Sequence, residues 1–307
     1  MAVLSIQSHV VFGYAGNTAA VFPLQRLGRE VWAINTVEFS NHTGYGSWKG
    51  RVLGADFTSE LFTGLEERGV LHRCEAVLSG YLGDASVGRV IIDAVKKVRK
   101  ENPSSLYCCD PVMGDSGRGL YVKPDIPDMF RNEVIPLADI VCPNQFELEM
   151  LTGIKIKTLS DGIRAINSMH ELGPSIVLVT SFKEKDGELS MLASRRETRV
   201  SETTANLKDS TGKTKIYKII TPELPIGHNI AGTGDMTASV FLSRYLETGN
   251  LEKTLELCTA SVFGILEASM RAASLKEKNE LMELKIIDAQ EQLASPSHYF
   301  KAEKISP

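Results

Sequence analysis

Short apolar runs rich in β-branched residues alternate with longer helix-like stretches over most of the first 180 residues. The runs that predict strands are AVLSIQ, EVWAINTVEF, EAVLSGYL, SSLYCCDPV, LADIVCPN and SIVLVTS. Strands that alternate with helices form mostly parallel sheets, and such sheets carry helices on both faces. The alternation therefore predicts an α/β fold of three layers, with a mostly parallel central sheet.

The spacing of apolar residues predicts where the helices lie. FTSELFTGLEERG has helical spacing through Phe57, Leu61 and Leu65. In SDGIRAINSMHELG, a second amphipathic stretch, Ser160 or Asp161 is the expected N-cap. Helical spacing resumes after residue 231, where it predicts three helices over 233–248, 251–272 and 277–293.

The chain between 185 and 220 departs from the alternation. KDGELSMLAS and TKIYKII are strand-like, and the polar stretch 195–214 between them predicts a surface excursion. No linker or internal repeat divides the chain. We therefore expect residues 1–307 to form one domain.

Composition narrows the classes of partner. The chain has 307 residues, 43% of them hydrophobic, and a net charge of -4, so nucleic acid is not an expected partner. No apolar run approaches membrane-spanning length, and the N-terminus lacks the basic start of a secretory signal. Five scattered cysteines show no disulfide framework. These features favour a cytoplasmic protein, and its mass of 33.6 kDa leaves nuclear entry open.

Polar side chains cluster where the predicted strands end. Ligands bind at the carboxyl ends of the strands in open parallel sheets, so these residues are expected to share one rim. Each alone is ordinary loop polarity, and His9 and His42 are expected to be hydrogen-bonded structural histidines. Together they favour an active site: Ser8, Asn41, His42, Thr43, Tyr81, Asp110, Asp115, Asn144, Glu147, Thr180 and Ser181.

The stretch HNIAGTGDMTAS, residues 228–239, has two interpretations of equal weight. Gly232 and Gly234 permit a tight turn and close approach of a ligand, and a helix begins at about Thr233. In one interpretation Thr233 or Asp235 only caps that helix. In the other, the free N–H groups of the helix start hold a phosphate and Asp235 accepts a proton from an alcohol.

Two other phosphate-binding patterns, the dinucleotide-binding fingerprint and the P-loop, do not fit the glycine-containing stretches of this chain. The 228–239 stretch lacks the third glycine and the later acidic residue of a dinucleotide-binding fingerprint. STGKT at 210–214 resembles the end of a phosphate-binding P-loop, but Leu207 stands where that loop needs glycine. A polar loop is the favoured interpretation of STGKT.

Acidic residues on the same rim are candidates for a metal site. Asp110 and Asp115 flank a glycine-rich turn, and paired carboxylates hold Mg²⁺ directly or through water. Asn144 and Glu147 lie three residues apart at a strand-to-helix corner. They have the spacing of a capping box, and they are also placed to position a metal-bound water or a phosphate; both roles are compatible.

Six segments of this chain together resemble one enzyme family. LSIQSHVVFGYAGN, FSNHTGYG, LSGYLG, CDPVMGD, PNQFELEMLTG and AGTGDMTAS follow the order and spacing seen in pyridoxal kinases of the ribokinase-like superfamily. The likeness runs from residue 3 to about 272, and SPSHYF also resembles the family's tail. GTGD is shared across the superfamily, whereas SIQSHV with SNHTGYG is specific to the pyridoxal branch.

The resemblance implies a role for each matching residue. It implies a ribokinase-like fold, ATP as co-substrate, Mg²⁺ with a monovalent cation (K⁺ or Na⁺), and a homodimer. Asp235 would be the base, with Gly232 and Gly234 forming an anion hole. The vitamin pocket would comprise Ser8, Ala15, Val37, Phe39, Thr43 and Tyr81. ATP would contact Asp110, Tyr121, Asn144, Glu147, Thr180, Ser181 and Thr233, and the acidic shell for the cations would be Asp110, Asp115 and Glu147.

The resemblance implies ATP-dependent phosphorylation of the 5′-hydroxymethyl group of pyridoxal, and of pyridoxine and pyridoxamine. Two alternatives stay open: a kinase for another hydroxymethyl compound such as hydroxymethylpyrimidine, and a non-catalytic protein that binds pyridoxal 5′-phosphate. Cys142 stands where many family members have threonine, so no side-chain oxygen is implied for the cation there. The preferred vitamer, the activating cation and the role of 195–214 do not follow from the sequence.

Overall fold

A computed structural model describes residues 1–197, 214–225, 230–273 and 281–305. Its main sheet has ten strands in the order β12-β11-β10-β9-β8-β5-β4-β1-β2-β3. A separate ribbon pairs β6 (Gly114–Asp115) with β7 (Gly119–Leu120). The ten strands are β1 Ala2–Phe12, β2 Glu30–Asn41, β3 Gly50–Val52, β4 Cys74–Ser79, β5 Leu106–Cys109, β8 Ile140–Val141, β9 Ile176–Phe182, β10 Glu188–Arg196, β11 Thr214–Pro222 and β12 Glu303–Lys304.

Six central strands, from β9 across to β2, run parallel to their neighbours. Antiparallel strands extend the sheet at both edges: β3 beside β2, and β10, β11 and β12 beyond β9. The six predicted strands before residue 183 are all present, and so are the two strand-like runs after them. The predicted α/β class with a mostly parallel sheet is confirmed.

Helices cover the sheet on both faces, and the strands feed both cores because successive side chains point to opposite sides. The helices are α1 Asn17–Arg26, α2 Gly54–Glu67, α3 Ala85–Glu101, α4 Ile126–Met129, α5 Gln145–Thr152, α6 Leu159–Leu172, α7 Thr233–Thr248, α8 Leu251–Ala273 and α9 Glu291–Ala294. Leu4, Val77 and Val177 belong to the core under α2, α3, α5 and α6. Val3 and Ala76 belong to the core under α1, α7 and α8.

Helix α2 exists, but the face assigned to it from the sequence is wrong. Phe57 and Leu61 are 43% and 40% exposed, whereas Phe62 is 2% exposed and Thr58 is fully buried. Thr58, Phe62 and Leu65 recur at the i, i+4, i+7 spacing of one helical face, and Phe57 and Leu61 lie about 100° around from it. Phe62 joins the core beside Leu65.

The predicted cap of α6 also needs correction. Thr158, and neither Ser160 nor Asp161, is the N-cap. Its hydroxyl accepts the Asp161 amide at 3.2 Å, and the Asp161 carboxylate accepts the Thr158 amide at 3.0 Å. Asp161 therefore takes the third helical position of a capping box, and the helix begins at Leu159, two residues earlier than a Ser160 cap would place it.

The helix predicted over 277–293 is wrong for the described residues from 281 onward. Only α9, at Glu291–Ala294, is α-helical there. Leu284 and Ile286 are both buried, a spacing of two that an extended segment produces and a helix does not. Residues 277–280 lie outside the described part of the chain, as do 198–213 of the expected polar excursion.

Three further predictions concern membrane-spanning helices, the cysteines and the number of domains. The helices that the structure describes include none long and apolar enough to cross a membrane. All five cysteines are free and buried. The assignment of residues 1–307 to one domain stays a prediction.

Candidate active site

The sheet register explains why the predicted rim residues come together. Ile6, Ser79, Cys109, Val141 and Val177 lie in one row across the parallel strands. The candidate residues of β1, β4, β5 and β8 follow that row within a few positions, as expected for the carboxyl edge of a parallel sheet. This edge is where the structure brings most of the predicted site together.

Four of the rim residues, Ser8, Asn41, Thr180 and Ser181, lie inside their strands, whereas the sequence placed them after the strands. β1 continues to Phe12, and Ser8 stands at a register shift between Gln7 and His9 in its pairing with β2. Such a bulge re-aims a side chain without ending the strand. Thr180 and Ser181 are likewise half-buried residues within β9, and the Thr180 amide donates to the Pro143 carbonyl at 3.0 Å.

The start of α7 has no side-chain cap. Gly232 occupies the N-cap position with a φ of 80°, a left-handed conformation that favours glycine. The interpretation of Thr233 or Asp235 as an ordinary cap is therefore wrong. Asp235 instead accepts the Gly16 amide at 2.8 Å, which leaves the amides of the first helical turn available to an external acceptor.

Gly16, which was not among the predicted site residues, connects α7 to β1. A Cβ on Gly16 would lie 2.1 Å from the Ser8 carbonyl oxygen and 2.3 Å from its hydroxyl oxygen. A Cβ on Gly232 would lie 2.3 Å from the Tyr14 carbonyl oxygen. Both glycines permit backbone contact, so the turn at 14–16 is held between Ser8 and Asp235. The only sequence signal was the pair of glycines in FGYAGN.

Asp110 is the buried carboxylate nearest to this helix start. It is 3% exposed, and its Oδ2 has no hydrogen-bond partner. That oxygen would lie 3.5 Å from a Cβ on Gly234. Burial, and after it the charges of Glu147 and Asp235, hold the pKa of Asp110 well above its usual range. Such a group is stabilised when a cation or a donor approaches it.

Asn144 and Glu147 form the capping box that the sequence suggested. The Asn144 Oδ1 accepts the Glu147 amide at 2.9 Å, and the Glu147 Oε2 accepts the Asn144 amide at 2.9 Å. The pair also supports the β6–β7 ribbon, because Glu147 Oε1 accepts the Met113 amide at 2.9 Å and Asn144 Nδ2 donates to the Gly114 carbonyl at 2.8 Å. Burial raises the pKa of Glu147 to about 7.

The third predicted metal ligand, Asp115, is turned into its own loop. Its Oδ1 accepts the amides of Gly117 and Arg118 at 2.9 and 2.8 Å, and its Oδ2 pairs with Arg118 Nε at 3.3 Å. Across the described ranges, no three His, Cys, Asp or Glu side chains are grouped closely enough to hold a metal ion. Backbone amides occupy oxygens of Glu147 and Asp115, and the acidic shell for the cations stays a prediction.

Tyr121 directly follows strand β7 of the ribbon. Its amide donates to the Met113 carbonyl at 3.0 Å. Burial of its hydroxyl, followed by the charges of Glu147, Asp115, Asp110 and Asp235, raises its pKa. The carboxylates of the predicted site therefore all lie within electrostatic range of one tyrosine.

A hydrophobic wall stands on the β2 side of the rim. Val37 is buried, and its Cγ1 would lie 2.8 Å from a Cβ on Gly83. The Tyr81 ring lies at the same glycine, and its carbonyl accepts the Thr36 hydroxyl at 2.8 Å. Phe39 is half-buried against Trp48, with ring centroids 6.1 Å apart. Val37, Phe39 and Tyr81 are thus placed on one side of the rim.

Thr43 lies in an exposed turn, the 3₁₀ segment Thr43–Tyr45. His42 caps this turn by accepting the Gly44 amide at 3.1 Å, in keeping with its expected structural role. Burial, followed by the charge of Arg118, lowers the pKa of His42. His9 is also structural, with its Nδ1 2.6 Å from the Glu38 carboxylate.

Comparison with known proteins identifies the family to which this chain belongs. The family model described as phosphomethylpyrimidine kinase matches residues 71–279. Pyridoxal kinase PdxY of Rubrobacter xylanophilus is 46% identical over 99% of this chain and 97% of its own length. The chain belongs to the pyridoxal kinase family.

Solved pyridoxal kinases have the same fold. The Leishmania donovani pyridoxal kinase in complex with ADP and pyridoxamine has a TM-score of 0.88 and 31% identity, and the likeness covers 99% of both chains. Its complex with ADP and pyridoxine also has a TM-score of 0.88 and 31% identity, over 99% of this chain and 98% of that one. The ribokinase-like architecture expected from the sequence is therefore confirmed.

Proposed function

We propose that this chain transfers the γ-phosphoryl group of ATP to the 5′-hydroxymethyl oxygen of pyridoxal, giving pyridoxal 5′-phosphate and ADP, and that pyridoxine and pyridoxamine are also substrates. The observation that carries this proposal is the position of Asp235, which lies in the first turn of an uncapped helix and is held by the Gly16 amide at 2.8 Å. Membership of the pyridoxal kinase family and the nucleotide and vitamer complexes of the Leishmania enzyme support the choice of substrates.

Asp235 is proposed as the general base. Burial raises its pKa, with the Gly16 amide acting in the opposite direction, so the carboxylate is a better proton acceptor than an exposed aspartate. The substrate oxygen forms a bond to the γ-phosphorus as its proton passes to Asp235, and the bond from that phosphorus to the bridging oxygen of ADP breaks. The two reacting oxygens stand on opposite sides of the phosphorus.

The amides of residues 232–235 are proposed as the anion hole for the transferring group. They lie at the positive end of α7, a helix of 16 residues whose start has no side-chain cap. Because donors fixed before the reaction need little reorganisation, they stabilise charge that develops in the transition state. Gly232 and Gly234 leave room for a phosphate to approach this backbone.

Mg²⁺ and a monovalent cation are proposed to accompany ATP. The unpartnered buried Oδ2 of Asp110 fits a water molecule bound to a cation, while Glu147 and Asp115 are held by backbone amides and contribute negative potential. When bound, Mg²⁺ neutralises charge on the phosphates of ATP. The Cys142 side chain carries sulfur and no oxygen, and its Sγ lies 3.8 Å from that of Cys108, so it offers no side-chain oxygen to the second cation.

The remaining predicted residues are proposed to bind the two substrates. Those near the hydrophobic wall and the bulge of β1 would surround the pyridine ring: Ser8, Ala15, Val37, Phe39, Thr43 and Tyr81. Those near the ribbon and the end of β9 would contact ATP: Asp110, Tyr121, Asn144, Glu147, Thr180, Ser181 and Thr233. We also propose a homodimer, and a cytoplasmic location in keeping with five free buried cysteines.

A hydroxymethylpyrimidine is the second candidate substrate, because the matching family model is described as phosphomethylpyrimidine kinase. The test is the release of ADP by purified protein with pyridoxal, pyridoxine, pyridoxamine or hydroxymethylpyrimidine, followed by mass spectrometry of the product. The proposal expects ADP release that depends on a B6 vitamer and a product carrying one phosphate. Preference for hydroxymethylpyrimidine would replace the proposed substrate, and tight binding of pyridoxal 5′-phosphate with no ATP turnover would refute a kinase.

A further inference from the structure

Glu283 joins the turn that follows β1 to the turn that follows β2, beside the contact between the rings of Phe12 and Tyr45, whose centroids are 5.9 Å apart. Its Oε2 accepts the Tyr14 amide at 3.0 Å, and its Oε1 accepts the Tyr45 hydroxyl at 2.6 Å. Tyr14 belongs to the turn after β1, and Tyr45 belongs to the 3₁₀ turn after β2. A single half-buried carboxylate, 269 residues away from Tyr14 in sequence, thus fixes both turns.

The carboxylate of Glu283 lies directly against the backbone of Gly13. A Cβ on Gly13 would lie 2.5 and 2.6 Å from the two carboxylate oxygens of Glu283, and Gly13 has a φ of 88°. Leu281, two residues before Glu283, approaches the second turn, with its Cδ1 3.5 Å from the position of a Cβ on Gly44. The absence of a side chain at Gly13 is what lets Glu283 approach the backbone.

The first turn is held by Ser8 and Asp235 on one side and borders open space on the other. A cavity of about 810 Å³ lies behind it, lined by β1, α1 and the segment 283–288. Where packing is absent, hydrogen bonds determine the position of a backbone segment. Glu283 is therefore placed to hold the turn against open space.

Both turns carry residues of the proposed site. The first turn continues through Ala15 to Gly16, whose amide binds Asp235. The second contains Thr43, whose carbonyl accepts the Gly46 amide at 3.0 Å. Ala15 and Thr43 are both proposed to contact the vitamin, so Glu283 lies behind the two sides of the vitamin pocket.

We propose that Glu283 is a positioning residue for the vitamin pocket, which it shapes by holding the Tyr14 amide and the Tyr45 hydroxyl at a fixed separation. This inference rests on the proposed function. Glu283 touches neither substrate in this account and acts through the two turns. Because the proposed ATP contacts other than Thr233 lie near β9 and the ribbon, its loss should affect the vitamin more than the nucleotide.

The test compares the steady-state kinetics of four proteins: wild type, Glu283→Ala, Glu283→Gln and Glu291→Ala. Glutamine can accept the Tyr14 amide with its oxygen and donate to the Tyr45 hydroxyl with its nitrogen, so it should restore function. Glu291 is the matched control, because it begins α9, eight residues after Glu283, and pairs with Arg26 at the surface. The Michaelis constants for pyridoxal and for ATP are measured along with the melting temperature.

We expect Glu283→Ala to raise the KM for pyridoxal by roughly tenfold or more, the effect of losing a hydrogen bond to a charged group, with the KM for ATP changed less than about twofold. Glu283→Gln and Glu291→Ala should stay near wild type. If Glu283→Ala fails to fold, Tyr45→Phe removes one of the two bonds and should still raise the KM for pyridoxal selectively.

Three results would overturn the inference. They are an unchanged KM for pyridoxal, an equal rise in both Michaelis constants, and a Gln variant as impaired as the Ala variant. Each of these, with a wild type that phosphorylates pyridoxal, refutes the role of Glu283 alone. A wild type that does not act on pyridoxal refutes the proposed function and this inference with it.

Discussion

Replacing Glu147 with glutamine should remove a contribution to the free energy of unfolding that changes with pH. Glu147 is 3% exposed and lies among the backbone amides of Met113, Gly114 and Asn144. Burial raises the pKa of its carboxyl from 4.5 to about 7. Since this value lies within an accessible pH range, titration of the folded protein can be separated from acid denaturation.

The direction of this pH dependence follows from the number of protons that the folded and the unfolded protein bind. Between pH 4.5 and 7 the folded protein keeps a proton on Glu147, and the unfolded chain has lost it. The free energy of unfolding therefore falls as the pH rises through this interval. With about 1.4 kcal/mol for each pH unit, the wild type should lose about 3 kcal/mol that the glutamine variant does not lose.

The assay is urea unfolding followed by circular dichroism, at several pH values from 4 to 8, without nucleotide or Mg²⁺. Glutamine also places an amide against a backbone donor, which should lower stability by roughly 1–3 kcal/mol at every pH. Only the pH dependence of the free energy of unfolding therefore tests the raised pKa of Glu147. Glu67→Gln, at an exposed position of α2, is the matched control and should follow the wild type. A difference between wild type and Glu147→Gln that stays constant from pH 4 to 8 would refute it.

Three further substitutions test the pocket, the acidic cluster and the core. Ser8→Ala should raise the KM for pyridoxal more than the KM for ATP in steady-state assays, and an equal effect on both would remove Ser8 from the vitamin pocket. Asp110→Asn removes a buried carboxylate that lies near two others, so thermal unfolding should show a free energy of unfolding higher by roughly 0.5–2 kcal/mol, while turnover falls. A lower free energy of unfolding would contradict the unfavourable burial of Asp110 beside Glu147 and Asp235. Phe62→Ala should cost about 3–5 kcal/mol in urea unfolding and the exposed Phe57→Ala less than about 1 kcal/mol, and the reverse order would restore the face of α2 first expected from the sequence.

Periodic features of the sequence predicted periodic structure well. The buried strands were found because apolar, β-branched runs such as SIVLVTS leave few other choices in an α/β chain. Helix α7 begins and ends where its spacing indicated, at Thr233 and Thr248. The face of α2 was missed because Phe57 and Leu61 have the same helical spacing as Thr58 and Phe62. Which pair meets the core depends on how the helix is docked.

The candidate site was predictable where its residues follow strands, and less so where distant segments meet. Asp110 and Asn144 follow β5 and β8 closely, so the parallel topology alone places them on one rim. The Gly16 contact with Asp235 spans 219 residues, and no local pattern signals it. Glu283 was missed for the same reason, and its segment was predicted as a helix because LMELKIIDAQ has apolar residues compatible with either period.

The assignment of Asp235 as the base is tested most directly by Asp235→Asn. Asparagine keeps the shape of the side chain and an oxygen that can accept the Gly16 amide, so the change removes the basic group and little else. Asp128→Asn, at an exposed position of α4, is the control. The measurement is the rate of phosphoryl transfer to pyridoxal in a single turnover, with pyridoxal binding measured separately. The account predicts a rate lower by about 10²–10⁴-fold with binding nearly unchanged. A rate within a few-fold of wild type would contradict it.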